Sequence, residues 1–125
     1  MKIGILKEAL KETELSEHQK YKVGAVIFKG NRILSSGHNS KRSSSIPTRF
    51  KKFKNSLHAE QCALNGMNWK KLKGASILVV RTNLNGNISK SYPCEYCLKT
   101  IKHIKLKWLY YTNREGEIIK EKILY

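Results

Sequence analysis

The sequence predicts a single α/β domain whose central mixed sheet has about five strands. Apolar, β-branched runs typical of strands alternate along the chain with longer segments of helical periodicity. The last two runs are separated only by a tight turn, so those two strands should pair antiparallel. A length of 125 residues suits one hydrophobic core and not two, so the predicted domain spans residues 1–125.

The first half of the chain predicts a helix followed by a hairpin. Residues 2–17 place Ile3, Leu6 and Leu10 at helical spacing, which predicts an amphipathic helix with these side chains against the core. Apolar runs at 23–28 and 33–38 follow, and the Gly-Asn pair between them is typical of a tight hairpin turn. The first run is apolar throughout, which predicts a strand covered on both faces.

Residues 40–57 predict a basic loop. The segment has six basic residues, no acid, and the Ser, Pro and Asn typical of loops. Aromatic rings among cations are the combination that holds single-stranded nucleic acid, by stacking and by attraction of phosphate. The alternative is a basic flap that its two phenylalanines anchor to the core. The candidate phosphate or nucleic-acid contacts are Lys41, Arg42, Arg49, Phe50, Lys51, Lys52 and Phe53.

The middle of the chain predicts two helices separated by a buried strand. The first helix should run from Leu57 or His58 to about Lys71, with Ser56 as its N-cap. A strand at 75–80 and a polar connection at 81–92 follow, the latter with an Asn-Gly turn dipeptide. The second helix should run from Cys94 to about Lys105.

The C-terminal part predicts an antiparallel strand pair. Residues 106–111 and 118–125 are strand-like, and residues 113–116 between them have the composition of a turn. A parallel crossover needs a dozen residues or more, so this connection is too short for one.

Three side chains form a candidate zinc site. Imidazole and thiolates are ligands that Zn²⁺ prefers, and His58, Cys94 and Cys97 would supply one imidazole and two thiolates. Three protein ligands leave the fourth tetrahedral position to water, which is typical of a catalytic site. Both ligand sets would sit at helix N-termini, which favour thiolates. Glu60 lies two residues past His58, close enough to carry a proton without being a ligand.

The cysteines also admit other interpretations. A C-x-x-C pair alone can be a redox pair, although a redox pair would not need His58 and Glu60. Cys62 is left without an evident partner and is expected to be a small buried apolar residue. If Cys62 or His103 supplied a fourth ligand, the site would be closed and structural.

The motif H-x-E followed by P-C-x-x-C resembles the zinc-dependent cytidine deaminase-like superfamily. The V-G-A-V strand at 23–26 and the G-x-N that ends at Asn39 are similar to that superfamily as well. The resemblance implies a three-layer α/β/α fold and one Zn²⁺ per chain. It also implies hydrolytic conversion of cytosine to uracil, with Glu60 acting first as base and then as acid.

The resemblance further implies the substrate contacts. The backbone at Ala59 would contact the base edge, and Asn39 would contact the sugar. The small residues Gly24 and Ala25 would let a planar base lie against the backbone. The alternative for Asn39 is a turn residue that bonds its own backbone.

The substrate class stays open at this level. The short C-terminal hairpin resembles the free-nucleoside branch, because adenosine-editing and polynucleotide-editing branches usually insert a helix there and run parallel. However, the free-nucleoside enzymes commonly have cysteine where this chain has His58. The expected partner is therefore a cytosine-containing nucleoside, nucleotide or single-stranded nucleic acid. The alternatives are a tRNA or DNA adenosine-type deaminase and a non-catalytic, zinc-stabilised nucleic-acid-binding module.

The charge balance is strongly basic. Twenty-five Lys and Arg face nine Glu and no Asp, for a formal net charge of +16. Such a field attracts polyanions, although a lysine-rich composition could also come from an AT-rich genome. No apolar run is long enough to span a bilayer and no signal peptide is evident, which predicts an intracellular, cytoplasmic protein without membrane contact, a nuclear location being left open. A homo-oligomer is expected by analogy only.

Overall fold

The computed structural model describes the chain in six ranges, which contain the whole central sheet. Its residues are 3–16, 21–41, 56–57, 59–64, 68–83 and 85–123. Within these ranges the backbone alone is described for Tyr21, Ser40, Lys41, Ser56, Leu57, Glu60, Gln61, Cys62, Trp69 and Tyr96.

Three α-helices and eight strands follow one another along the described residues. The helices are α1 (Ile3–Leu15), α2 (Ala59–Leu64) and α3 (Glu95–Ile104), and a 3₁₀ helix covers Trp69–Leu72. The strands are β1 (Tyr21–Lys29), β2 (Arg32–His38), β3 (Ser40–Lys41), β4 (Ser56–Leu57), β5 (Ser76–Asn83), β6 (Ile88–Ser89), β7 (Trp108–Thr112) and β8 (Ile118–Lys122).

The main sheet is mixed and has the order β2-β1-β5-β7-β8. Strand β5 pairs antiparallel with β1 and parallel with β7, while the short β6 pairs with the end of β5 beyond β7. Strands β7 and β8 are antiparallel, as predicted. The prediction of a mixed sheet of about five strands with an antiparallel final pair is therefore confirmed.

Helices cover both faces of this sheet, which makes the three-layer α/β/α arrangement. Because side chains alternate along a strand, Ala25 and Ile27 of β1 pack on one side with α2 and α3. Val26 and Phe28 pack on the other side with α1. Strand β5 is divided in the same way, and its first five residues are all buried. The continuous apolar run of each strand thus fills the two layers of the core, one on each face of the single sheet.

Helix α1 approaches β1 closely at Gly24. A Cβ at this position would overlap the carbonyl oxygen of Ala9 and would also crowd Glu12 and Thr13. Glycine is the residue that permits such a backbone-to-backbone approach. The absence of a side chain at Gly24 therefore sets the spacing of the α1 layer.

The face of α1 differs from the sequence prediction. Ile5, Ala9 and Thr13 are its buried residues, and Leu6 and Leu10 pack at the margin of the same core. Ile3 was predicted to face the core, but it is 70% exposed. The repeat of four residues from Ile5 to Thr13, with two small side chains, fits the close approach at Gly24 better than a row of large ones.

The helix that was predicted to run continuously to Lys71 is interrupted. Asn68 is extended, at φ −78° and ψ 105°, and its side-chain oxygen accepts a hydrogen bond from the amide of Lys70. Asn68 therefore caps a separate 3₁₀ helix, as a short amide side chain often does. Ser56 was predicted to be the N-cap of the preceding helix, but it lies in β4.

The connection after β5 is more ordered than predicted. Strand β5 continues to Asn83, and the chain turns back at Gly86 so that Ile88 pairs with Thr82. Asn83 Oδ1 accepts hydrogen bonds from the amides of Asn85 and Asn87 and holds the turn. The expected turn dipeptide is thus confirmed within a hairpin of the sheet.

We predict that Gly24→Ala destabilises the fold by about 3 kcal/mol, because the added methyl group must displace backbone rather than a flexible side chain. Urea denaturation of the two proteins measures the difference. Gly4→Ala is the matched control, since nothing lies within 4 Å of a Cβ there and alanine favours a helix. That variant should equal or exceed the wild type in stability, and equal effects of the two substitutions would contradict the packing argument.

Candidate active site

The candidate site residues that the structure describes lie mostly at one end of the sheet. The first residues of β1 pair with the last residues of β5, with Val23 opposite Arg81. Asn39 follows β2 at this same end, where its amide donates to the carbonyl of Val23. The end of β7 at Thr112 and the segment that leads into α3 also lie here, joined by the hydrogen bond from the Ser91 amide to the Thr112 carbonyl. The edge of a sheet where strands end is a frequent place for ligand sites in α/β folds.

Helix α3 begins at the two cysteines, as predicted. Cys94 is the N-cap, and its Sγ accepts a hydrogen bond from the Cys97 amide at 3.4 Å. Its carbonyl accepts the amide of Leu98 at 2.9 Å, which is the first turn of the helix. Cys94 is exposed and Cys97 is buried. The first turn thus holds two sulfurs beside the positive end of a helix, where backbone amides stabilise thiolates.

A polar network fixes the segment before Cys94 to the sheet. Ser91 Oγ donates to the carbonyl of Val79 at 2.6 Å and accepts the amide of Thr112 at 2.7 Å. The hydroxyl of Thr112 lies 2.8 Å from Ser91 Oγ and donates to the carbonyl of Ser89. Ser91 and Thr112 are buried. Neither residue could be identified from the sequence, because a serine in a polar connection and a threonine at the end of a strand belong to no motif.

Asn39 is a buried structural residue of the described fold. Its Oδ1 accepts the hydroxyl of Ser16 at 2.6 Å and the amide of Val23 at 2.8 Å. Ser16 Oγ is also 2.9 Å from the Asn39 carbonyl. Asn39 therefore connects the residue after α1 to the start of β1. A contact between the rest of its amide group and a substrate sugar stays a prediction.

The small residues predicted to contact a base separate onto two faces of the sheet. Ala25 and Ala59 are fully buried in the core that lies beneath α2 and α3. Gly24 faces α1 on the other side, where its lack of a side chain has the packing reason given above. A role of Gly24, Ala25 or Ala59 in substrate binding stays a prediction.

Several predicted site residues lie outside the described residues. They are His58, the side chains of Glu60 and Cys62, the side chain of Lys41, and the basic residues with their two aromatic neighbours in 42–55. Strands β3 and β4 flank that segment and pair antiparallel, with Ser40 opposite Leu57. Its ends are thus closed by a short ladder, where the sequence predicted only a loop. The zinc ligation and catalytic assignments at His58 and Glu60 remain predictions.

His103, one of two candidates for a fourth ligand, lies in the last turn of α3. It is six residues beyond Cys97, which corresponds to about 9 Å along a helix axis. Zinc ligands lie about 2 Å from the metal. His103 therefore lies towards the opposite end of α3 from Cys94 and Cys97. The alternatives of Cys62 or His103 as a fourth ligand stay predictions.

Arg81 is a further residue that the sequence reasoning missed. It lies in β5 two residues beyond Val79, so it shares the face of the sheet that carries α2 and α3. It is partly buried and pairs with Ser89 of β6 in the ladder. A guanidinium at this edge is suited to bind a phosphate or a carboxylate. The feature of the sequence that could have identified Arg81 is its position directly after the apolar run of β5.

The aromatic residue before Pro93 packs against the sheet. The rings of Tyr92 and Tyr111 meet edge to face, with centroids 4.8 Å apart. Partial burial raises the pKa of Tyr92 above its usual 10.0, and repulsion from Glu121 and Tyr111 adds to the increase. The phenol is therefore neutral at physiological pH, and it contributes packing rather than charge.

The described residues fit the donor set of a zinc site. The first turn of α3 offers two sulfurs, which are ligands that zinc prefers. Among the described residues no group of three or more metal-binding side chains occurs, and this part of the chain excludes His58 and Cys62. In the same part of the chain, no helix is long and apolar enough to span a membrane.

Comparison with known proteins gives one family and one fold. The family model of the cytidine and deoxycytidylate deaminase zinc-binding region matches residues 2–113. A cytidine deaminase from Burkholderia pseudomallei has a TM-score of 0.68 at 19% identity, covering 98% of this chain and 93% of that one. No curated protein sequence gives a significant match.

Two solved structures of a dCMP deaminase from the cyanophage S-TIM5 are also similar. The apo form has a TM-score of 0.56 at 27% identity and covers 90% of this chain and 86% of that one. The form in complex with dCMP and dUMP has a TM-score of 0.54 at 26% identity, covering 90% and 84% of the two chains.

We predict that Ser91→Ala lowers the free energy of unfolding by about 2 kcal/mol and weakens zinc binding by about 10-fold, because it leaves the buried carbonyl of Val79 and amide of Thr112 without this partner. Urea denaturation and competition with a chelator measure the two effects. Ser89→Ala is the control, since Ser89 Oγ is buried without a hydrogen-bond partner in the described structure. Unchanged zinc affinity in Ser91→Ala would show that the network does not position the cysteines.

Proposed function

This chain belongs to the cytidine and deoxycytidylate deaminase family, and we propose that it is a zinc-dependent hydrolytic deaminase that converts the cytosine of a nucleotide to uracil. The observation that carries the proposal is the first turn of α3, where Cys94 caps the helix through its sulfur and Cys97 lies buried three residues later. The family match extends over this turn and over the H-x-E motif at 58–60.

His58, Cys94 and Cys97 are the proposed zinc ligands. Zinc bound there would supply a Lewis acid that lowers the pKa of water, so that hydroxide is available near neutral pH. The first turn of α3 positions the two sulfurs, because Cys94 is its N-cap and Cys97 lies three residues later. The Ser91–Thr112 network holds the approach to Cys94, and the Cys97 amide donates a hydrogen bond to the sulfur of Cys94.

Glu60 is the proposed proton carrier. As a base it takes a proton from the water that attacks the ring carbon bearing the amino group, and it delivers that proton to the adjacent ring nitrogen. Glu60 then takes the proton of the newly added hydroxyl group and delivers it to the amino group, so that the carbon–nitrogen bond breaks, ammonia leaves and the uracil carbonyl forms. One carboxylate can serve both steps because it is regenerated between them.

A free nucleotide is the proposed substrate, and dCMP is the first candidate. The S-TIM5 enzyme that crystallised with dCMP and dUMP is 26% identical over 90% of this chain. The tight turn between β7 and β8 also supports a free substrate, by the superfamily resemblance described above. Arg81, on the α2 and α3 face at the site end of β5, is our candidate for holding the phosphate.

Cytosine within single-stranded nucleic acid is the second candidate substrate. The net charge of +16 favours it, because each Lys or Arg that contacts a phosphate of a polynucleotide adds to the binding affinity. The basic segment 41–53 would then border the site. Activity on oligonucleotides decides between the two candidates.

We expect Glu60→Gln to lower kcat by at least about 1,000-fold while the protein keeps its zinc, because glutamine can neither accept nor deliver the proton. Ammonia release and zinc content by elemental analysis measure the two properties. Glu115→Gln, an exposed turn residue, is the matched control and should retain full activity. Near-normal activity of Glu60→Gln would refute the role of Glu60.

With dCMP, deoxycytidine, CMP, cytidine and cytosine-containing oligonucleotides as substrates, we expect dCMP to give the highest kcat/KM.

Arg81→Ala should raise KM for dCMP by about 10- to 100-fold and leave KM for deoxycytidine unchanged, since only dCMP carries the phosphate. Arg32→Ala, at the opposite end of β1 and β2, is the control. An equal loss for dCMP and deoxycytidine would refute the phosphate contact, and preference for oligonucleotides would favour the second candidate.

A further inference from the structure

A cluster of exposed lysines lies at the C-terminal end of α3, away from the cysteines. The 3₁₀ helix and its following turn contribute three lysines, and α3 with the residues after it contributes three more. We call the group the lysine surface: Lys70, Lys71, Lys73, Lys102, Lys105 and Lys107, all exposed.

Backbone hydrogen bonds hold the two halves of the lysine surface together. The Gly74 amide donates to the Lys105 carbonyl at 3.0 Å, and the Lys107 amide donates to the Ala75 carbonyl at 2.7 Å. A depression of about 310 Å³ lies between the two segments, and Lys70, Lys73, His103, Ile104 and Lys105 line it. The lysines are therefore presented on a fixed backbone and not on a loose loop.

No acidic residue balances this charge within the two segments. Residues 68–75 and 98–107 contain no Asp or Glu. The ion pairs of the described residues join His38 to Glu12 and Lys99 to Glu95, and neither involves the lysine surface. Lys102 also lines a depression that contains Glu121, whereas the depression lined by Lys70, Lys73 and Lys105 has no acidic residue in its lining. Like charges placed together in this way repel one another unless an anion is near.

The backbone at Lys105 is a second, independent feature. Its φ is +66°, and it is the one residue other than glycine with positive φ in the described part of the chain. It closes α3 by donating its amide to the carbonyls of Ile101 and Lys102. Glycine is the usual residue at such a helix end because a side chain is strained there. The chain thus keeps a lysine where folding alone favours glycine.

The helix dipole accounts for part of the cluster but not for all of it. Cations in the last turn of a helix stabilise the negative end of its dipole, and Lys102 is placed to do so. Lys70, Lys71 and Lys73 belong to a different segment, and the strain at Lys105 works against stability. A role in binding explains both features together.

We propose that the lysine surface binds the phosphate backbone of a nucleic acid. Lysines act as point charges for phosphates, and several exposed lysines on one surface can each neutralise a phosphate of the same polynucleotide. Surfaces that bind membranes combine lysines with apolar side chains that enter the lipid. Among the described side chains, the exposed large apolar residues Ile3, Leu15, Ile33, Tyr92 and Ile118 lie outside the segments that form this surface.

The lysine surface is separate from the proposed active site. Helix α3 has 10 residues and so is about 15 Å long, with the cysteines at its start and the surface at its end. Binding at the surface therefore does not require the base to enter the site, and it can be measured without any turnover. The inference does not depend on the substrate proposed above.

The test measures binding of a fluorescein-labelled single-stranded oligonucleotide to the full 125-residue chain across a range of salt concentrations. The triple variant Lys70→Ala/Lys73→Ala/Lys105→Ala should bind about 10- to 100-fold more weakly at 0.1 M salt. The slope of log K against log salt should fall by about 2, because each lost contact with a single strand removes about 0.7.

The control is Lys7→Ala/Lys11→Ala/Lys29→Ala, which removes the same charge from exposed positions in α1 and β1. It should keep most of the affinity and of the slope. Equal losses in the two triple variants would overturn the proposal in favour of a general effect of net charge. Tighter lysine-dependent binding to phosphatidylserine vesicles than to the oligonucleotide would overturn it in favour of a membrane surface.

Lys105→Gly separates binding from folding. Its Tm should rise by roughly 3 °C, because glycine relieves the strain at this helix end, while affinity for the oligonucleotide should fall about 3- to 5-fold. A loss of affinity in a more stable protein cannot be attributed to unfolding. Unchanged affinity in this variant together with an unchanged salt slope in the lysine triple variant would overturn the proposal.

Discussion

The candidate site depends on the buried hydrogen bonds that attach the chain before α3 to the ends of β5 and β7. The Ser91 hydroxyl binds the Val79 carbonyl and the Thr112 amide, so one side chain links both strands to the segment that ends in Pro93 and Cys94. Such groups cannot exchange their partners for water without opening the sheet, because they are buried. The start of α3 is therefore as fixed as the sheet itself. For a metal site, which needs its ligands at short and defined distances, this rigidity is the main structural requirement.

Helix α3 then connects two different surfaces. Its first turn presents two sulfurs to amide groups, where negative charge is favoured, and its last turn lies among lysines, where the helix end favours positive charge. The same helix is the crossover between the parallel strands β5 and β7, so both ends are held against the sheet. The proposed catalytic site and the proposed binding surface for a polyanion thus lie at opposite ends of one helix.

Much of the fold could be predicted from the sequence, because its strongest patterns have local causes. The apolar run of β5, the Gly-Asn hairpin and the short final turn each restrict the chain through neighbouring residues alone, and all three are confirmed. The errors have non-local causes. The buried face of α1 is set by its contact with Gly24 and not by the row of largest side chains. The single helix predicted to reach Lys71 is interrupted at Asn68, whose side chain accepts a hydrogen bond from the Lys70 amide. In the site, Cys94 and Cys97 were recognisable by their spacing, whereas Ser91, Thr112 and Arg81 become visible only when strand register brings them to the same edge.

X-ray absorption at the zinc edge tests the central claim most directly, because it counts the atoms that surround the metal in the intact protein. We expect two sulfurs from Cys94 and Cys97, one imidazole nitrogen from His58 and one oxygen from solvent. A third sulfur in place of that oxygen would mean that Cys62 closes the site. The zinc would then be structural, and the deaminase proposed here would be contradicted.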